Sequence, residues 1–142
     1  MNGILQALGG VRTVRPAPRD GHEWRERIMI GIPARAALIF KDKLGLTNDQ
    51  LAALLGLSAR SVNRLSPPGA LLPPVAGDRL YRCARLYALA ENVFEDAAAA
   101  VEWLKTPQRA LDDTVPLDLA ATDIGTREVE TLLGRIEHSV YT

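Results

Sequence analysis

Between Leu51 and Leu65 the chain reads LAALLGLSARSVNRL, and no other stretch restricts the fold as tightly. Both sides of Gly56 carry helical spacing, yet a glycine and then a serine keep the two pieces from fusing. A glycine between helices admits positive φ and turns the backbone within about three residues. Ser58 is then placed to accept from the first-turn N–H groups of the second piece. Ala52 falls where two such helices cross closely, and Leu51, Leu55, Leu57, Val62 and Leu65 supply a shared core. The outward positions carry Ser58, Arg60, Ser61, Asn63 and Arg64 in place of more leucines. This is the layout of a helix-turn-helix, whose second helix lies in the DNA major groove. Arginine bonds bidentately to guanine, asparagine bonds to adenine, and serine hydroxyls suit phosphates. These five residues are therefore the candidate DNA contacts. Pro67 and Pro68 cut the second helix short.

The rest of the chain reads as helical too. Its apolar supply is mostly Ala and Leu, with 5% aromatics and no β-branched run, which favours an all-α fold. Residues 1–21 mix Gly, Pro and Arg without a helical period and read as a flexible arm. A helix-turn-helix domain follows over 22–66. A short helix opens it at His22 to Ile30, and Pro33 is expected as the first residue of the next helix. That helix sets Ala36, Ile39, Phe40 and Leu44 on one face and stops at Gly45. Thr47 caps the following helix, with Gln50 as its capping-box partner. A Pro-rich connector spans 67–77 and separates a C-terminal domain over 78–142. This domain holds a long helix from Asp78 to Val93 with Leu80, Ala84, Tyr87 and Ala88 inward, and a second from Glu95 to Leu104. Two proline-opened turns precede a last helix, capped by Thr122, whose buried stripe is Val129, Leu132, Leu133, Ile136 and Val140.

A formal net charge of zero conceals a division. Up to Ala76 there are 10 Lys/Arg against 5 Asp/Glu; from Gly77 onward there are 7 against 12. Opposite halves suit different partners, a polyanion for the first and a basic protein for the second. Arg79, Arg82 and Arg85 recur every three residues, as a solvated face or as a row flanking DNA phosphates. Catalysis finds no constellation. His22 and His138 are far apart and lack companions at metal-ligand spacing, and Gly9-Gly10 lacks the residues of a phosphate-binding loop. No enzyme activity, metal or cofactor is expected. The lone Cys83 suggests no oxidising compartment, and no apolar run reaches the roughly 20 residues that span a bilayer. The expected location is the cytoplasm.

From about Gly31 to Tyr141 the chain resembles the Xre/MbcA/ParS-type antitoxins. The stretch LTNDQLAALLGLSARSVNR is similar to their Xre-like helix-turn-helix. The strings VEWLKTPQRALDD, VPLDLAATDIG and VETLLGRIEHSVY, taken in order, are similar to their toxin-binding domain. Asp112 and Asp113 stand where the family commonly has glycine. The resemblance implies a homodimer within a toxin–antitoxin hetero-oligomer. The implied partners are a cognate RES-domain toxin, similar in fold to ADP-ribosyltransferases and NAD-consuming, and operator DNA of the pair's own promoter. Arg127 and Glu130 lie off the apolar stripe of the last helix, and Tyr141 is an aromatic at the chain's end, so these three are the candidate toxin contacts. A stand-alone helix-turn-helix repressor is the alternative.

Overall fold

Helix capping decides most element boundaries in this chain. The computed structural model describes residues 2–140, and among them nine α-helices and two 3-10 turns occur, with no strand. The chain divides into two units, Met1–Ala84 and Arg85–Thr142, and the division falls inside one helix.

The first unit holds α1 (Asn2–Ala7), a 3-10 turn (Gly10–Arg12), α2 (Gly21–Ile30), α3 (Ala34–Leu44), α4 (Asn48–Leu55), α5 (Ala59–Asn63) and the first part of α6 (Pro74–Phe94). The expectation of a flexible arm over 1–21 needs correcting. Ile4, Leu5, Ala7, Leu8 and Val14 are buried, and Gly9, at φ 102°, brings the backbone close to Ile39 Cδ1. One amphipathic turn is too short to show a period, so its apolar residues read as scatter. Trp24 is 1% exposed and packs on Tyr81 with ring centroids 5.1 Å apart.

Pro33 is the residue before α3 rather than its first, extended at φ −54° and ψ 131°. It pairs with Leu71 in an antiparallel bridge: the Ala34 N–H donates to Ala70 O and the Leu72 N–H to Ile32 O, both at 2.8 Å. The Pro-rich stretch is therefore tied back onto the start of α3. It is also shorter than 67–77, because Pro74 opens α6, where a missing N–H costs nothing. Gly45 ends α3 at φ 63°, and Thr47 and Gln50 form the capping box, with bonds of 2.8 and 3.1 Å.

The second unit holds the rest of α6, α7 (Ala97–Lys105), a 3-10 turn (Arg109–Leu111), α8 (Pro116–Leu119) and α9 (Asp123–Val140). Glu95 turns the chain at φ 54°, and Asp96 caps α7 by accepting from the Ala98 N–H at 2.9 Å. Val129 and Leu133 are buried along α9, while Leu132 and Ile136 are half-buried. Asp112 and Asp113 both sit in the left-handed region, at φ 55° and 58°. That is the conformation glycine adopts without strain, and aspartate tolerates it better than most residues. Replacing Asp113 with glycine is expected to raise unfolding free energy by up to about 1 kcal/mol, the relieved strain outweighing the added unfolded-chain entropy. Urea denaturation measures it, and a loss of that size would contradict the strain argument.

Candidate functional site

Four α4 residues, Leu51, Ala52, Leu54 and Leu55, are buried, and α4 ends at Gly56, which takes φ 69° and ψ 32°. The Leu57 N–H reaches back to Ala52 O at 2.9 Å, which closes the turn. Ser58 is extended, and its Oγ accepts from the Ser61 N–H at 3.1 Å while donating to Ser61 Oγ at 3.0 Å. The two serines are thus partly engaged as a cap pair. Val62 and Leu65 are buried and hold α5 in place from its inner side. Arg60, Asn63 and Arg64 fall at i, i+3 and i+4, so they share one face, and all three are exposed. No hydrogen bond or ion pair engages these three side chains among the described residues. The structure therefore brings the two arginines and the asparagine together, with the serines at the helix start.

The expected row of Arg79, Arg82 and Arg85 separates into three roles. Arg79 lies over the turn: a Cβ built on Gly56 would sit 2.7 Å from its Nη1. Glycine is favoured there for its positive φ, and the guanidinium packs against it. Arg82 donates to Asp78 one turn back. Arg85 donates to Glu130 Oε1 at 3.0 Å, with both side chains about a third exposed (31% and 30%). This last pair joins α6 to α9 within the second unit.

Glu130, expected as a partner contact, is therefore held by Arg85 as an internal strut. Arg127 is exposed and pairs with Asp123 one turn back at 3.0 Å. Tyr141 lies outside the described residues. A groove of about 390 Å³ runs beside Arg127, lined also by Leu111, Ile124, Thr131 and Arg135. Ile124 is 74% exposed. It was not among the expected contacts, although an isoleucine off the Val129–Leu133 stripe was a legible signal. Elsewhere in the second unit Trp103 packs on Phe94, at 5.7 Å between ring centroids, and Tyr87 donates to Glu91 at 2.9 Å. Burial, then that hydrogen bond, pushes the Tyr87 hydroxyl up to about 12.

The charge division follows the structural units. Residues 1–84 carry 12 Lys/Arg against 6 Asp/Glu, and residues 85–142 carry 5 against 11. Among the described residues, no cluster of three or more His, Cys, Asp or Glu is placed to hold a metal ion, and no helix is long and apolar enough to cross a membrane.

Comparison with known proteins divides the chain at nearly the same place. Residues 23–85 match the antitoxin Xre-like helix-turn-helix domain, and residues 89–138 match the antitoxin Xre/MbcA/ParS C-terminal toxin-binding domain. The chain is similar to Antitoxin Xre of Yersinia enterocolitica, 28% identical over 144 residues, covering 89% of this chain and 95% of that one. It is also similar to Antitoxin Xre of Pseudomonas putida, 35% identical over 135 residues, covering 93% and 79%. A third, Antitoxin Xre of Photorhabdus laumondii, is 30% identical over 88 residues, covering 61% and 60%.

Proposed function

Because the chain belongs to the Xre family of antitoxins, with a helix-turn-helix domain before a toxin-binding domain, we propose that it neutralises a RES-domain toxin and represses its own operon. In this reading the acidic second unit covers the toxin's active-site cleft and stops NAD consumption or ADP-ribose transfer. A cleft that holds an anionic dinucleotide is expected to be basic, and a unit with 5 cations against 11 anions complements it. The first unit binds operator DNA through Arg60, Asn63 and Arg64, with Ser58 and Ser61 at the helix start. A homodimer places two such helices on two half-sites, and the complex works in the cytoplasm.

The observation that carries the toxin half is the groove at Ile124 and Arg127. An isoleucine 74% exposed beside an arginine is an anchor pair of the kind that concentrates binding energy. Ile124→Ala with Arg127→Ala is expected to weaken toxin capture at least about tenfold, since truncating hot spots costs about 2 kcal/mol or more. The check is co-expression with the RES-type protein of the neighbouring reading frame, read as growth and as NAD consumed by the purified mixture. A chain that leaves that toxin's NAD consumption untouched would reject the function. A double variant that protects as fully as the parent would reject this surface.

A further inference from the structure

The first unit carries a second groove, of about 540 Å³, between the Gly10–Arg12 turn, the start of α3 and the loop over residues 65–71. Leu38, Leu65, Pro67 and Pro68 make much of its wall, and the two charged residues lining it are Arg12 and Arg35. Both residues are exposed, and neither side chain has a hydrogen bond or ion pair among the described residues. Several of the unit's carboxylates are engaged elsewhere: Glu23 with Arg19, Glu26 with His22, Asp42 with Lys41, Asp78 with Arg82, and Asp20 on the Glu23 N–H that starts α2.

Two like charges lining one groove repel each other, and apolar walls strengthen that repulsion by lowering the local dielectric. Folding alone gains nothing from this arrangement. An external anion removes the repulsion and converts it to attraction. The groove also begins at Leu65 and Ser66, directly after Arg64 at the end of α5. An anion held there lies beside the end of the helix that presents Arg60, Asn63 and Arg64.

We infer that Arg12 and Arg35 form a second contact with the DNA backbone, gripping phosphate of the strand that flanks the bases met by α5. The inference rests on the DNA reading of α5. It also gives residues 1–21 a purpose: their buried leucines fix the turn that carries Arg12. Phosphate contacts hold position and register without reading sequence, which suits a recognition helix of only 5 residues.

The test uses the full chain and duplex DNA from upstream of its own reading frame, with affinity measured across a salt series. Each lost phosphate contact flattens the slope of log K against log salt by about 0.9. Arg12→Ala with Arg35→Ala is therefore expected to flatten it by about 1.8 for each protomer on the DNA, and to weaken all operator variants by the same factor. Lysine at both positions is expected to restore the slope, because a phosphate asks for charge and not for a planar fork. An unchanged slope in the alanine pair overturns the inference. If Arg60→Ala with Arg64→Ala still flattens the slope, the DNA reading of α5 survives that failure; if neither pair changes it, both fall. Inorganic phosphate separates the remaining source: phosphate-induced shifts at Arg12 and Arg35, with an unchanged DNA slope, would mark a free-anion site and overturn the DNA contact.

Discussion

Gly125→Ala is expected to destabilise the C-terminal unit by about 2–3 kcal/mol and to abolish toxin capture while leaving operator binding intact. A Cβ at this position would lie 2.2 Å from Leu119 O and 3.0 Å from Leu119 C. Both are backbone atoms, at the end of α8, so no flexible side chain can swing aside. The neighbourhood is also tied by hydrogen bonds. The Gly125 N–H donates to Thr122 Oγ at 2.9 Å, and the hydroxyl of fully buried Thr126 donates to Thr122 O at 2.7 Å. Moving α9 outward to admit a methyl group would break this cap and lift Val129 and Leu133 from their buried positions. Helix propensity pulls the other way, by about 1 kcal/mol in favour of alanine. The control lies on the same helix. Gly134 is exposed with nothing within 4 Å of a built Cβ, so Gly134→Ala is expected to stabilise by up to about 1 kcal/mol. Urea denaturation of the two variants separates the effects. Equal shifts in the same direction would show that Leu119 can yield and that the close approach is not required.

What was legible in the sequence was local. Thr47 with Gln50, Gly56 with Ser58, and Gly45 each announce a boundary through their own backbone chemistry, and each stands where expected. Of the burial stripes read from period, Ala36, Phe40 and Leu44 of α3 and Leu80, Ala84 and Tyr87 of α6 are buried, while Ile39 and Ala88 are half-buried. Missed features came from distant segments meeting. Arg85 and Glu130 are 45 residues apart, so nothing near either one revealed their pairing. Arg79 over Gly56, and Leu119 O against Gly125, depend on how helices cross. The groove at Arg12 and Arg35 is assembled from three separated stretches. Residues 1–21 failed for another reason: a six-residue helix carries too few positions to show periodicity, and its flanking Gly and Pro read as loop. Tight local chemistry survives in a sequence, whereas contact between remote surfaces needs the folded chain.

Arg60→Ala with Arg64→Ala is expected to remove most operator affinity with almost no change in stability. Both side chains are exposed and make no hydrogen bond or ion pair among the described residues, so their loss leaves no buried group unsatisfied. The unfolding free energy should stay within about 0.5 kcal/mol of the parent. Binding should fall far more, because α5 offers few other groups to the groove: Asn63 is the remaining exposed polar side chain without a partner on that face, and Ser58 and Ser61 are tied to each other. The form of the loss distinguishes two roles for Arg60. If it contacts phosphate, the salt slope flattens by about 0.9 for each protomer on the DNA and every operator variant weakens alike. If it bonds to guanine O6 and N7, the loss of about 1–3 kcal/mol concentrates on one base pair, and replacing that pair costs the parent as much as it costs the variant little. Arg64, at the turn out of α5, is expected to meet phosphate and to show the first pattern. Single variants measured across a panel of operator mutations decide between the two. Gel shifts that stay unchanged with salt and sequence would mean that this face does not meet DNA, whatever its charge.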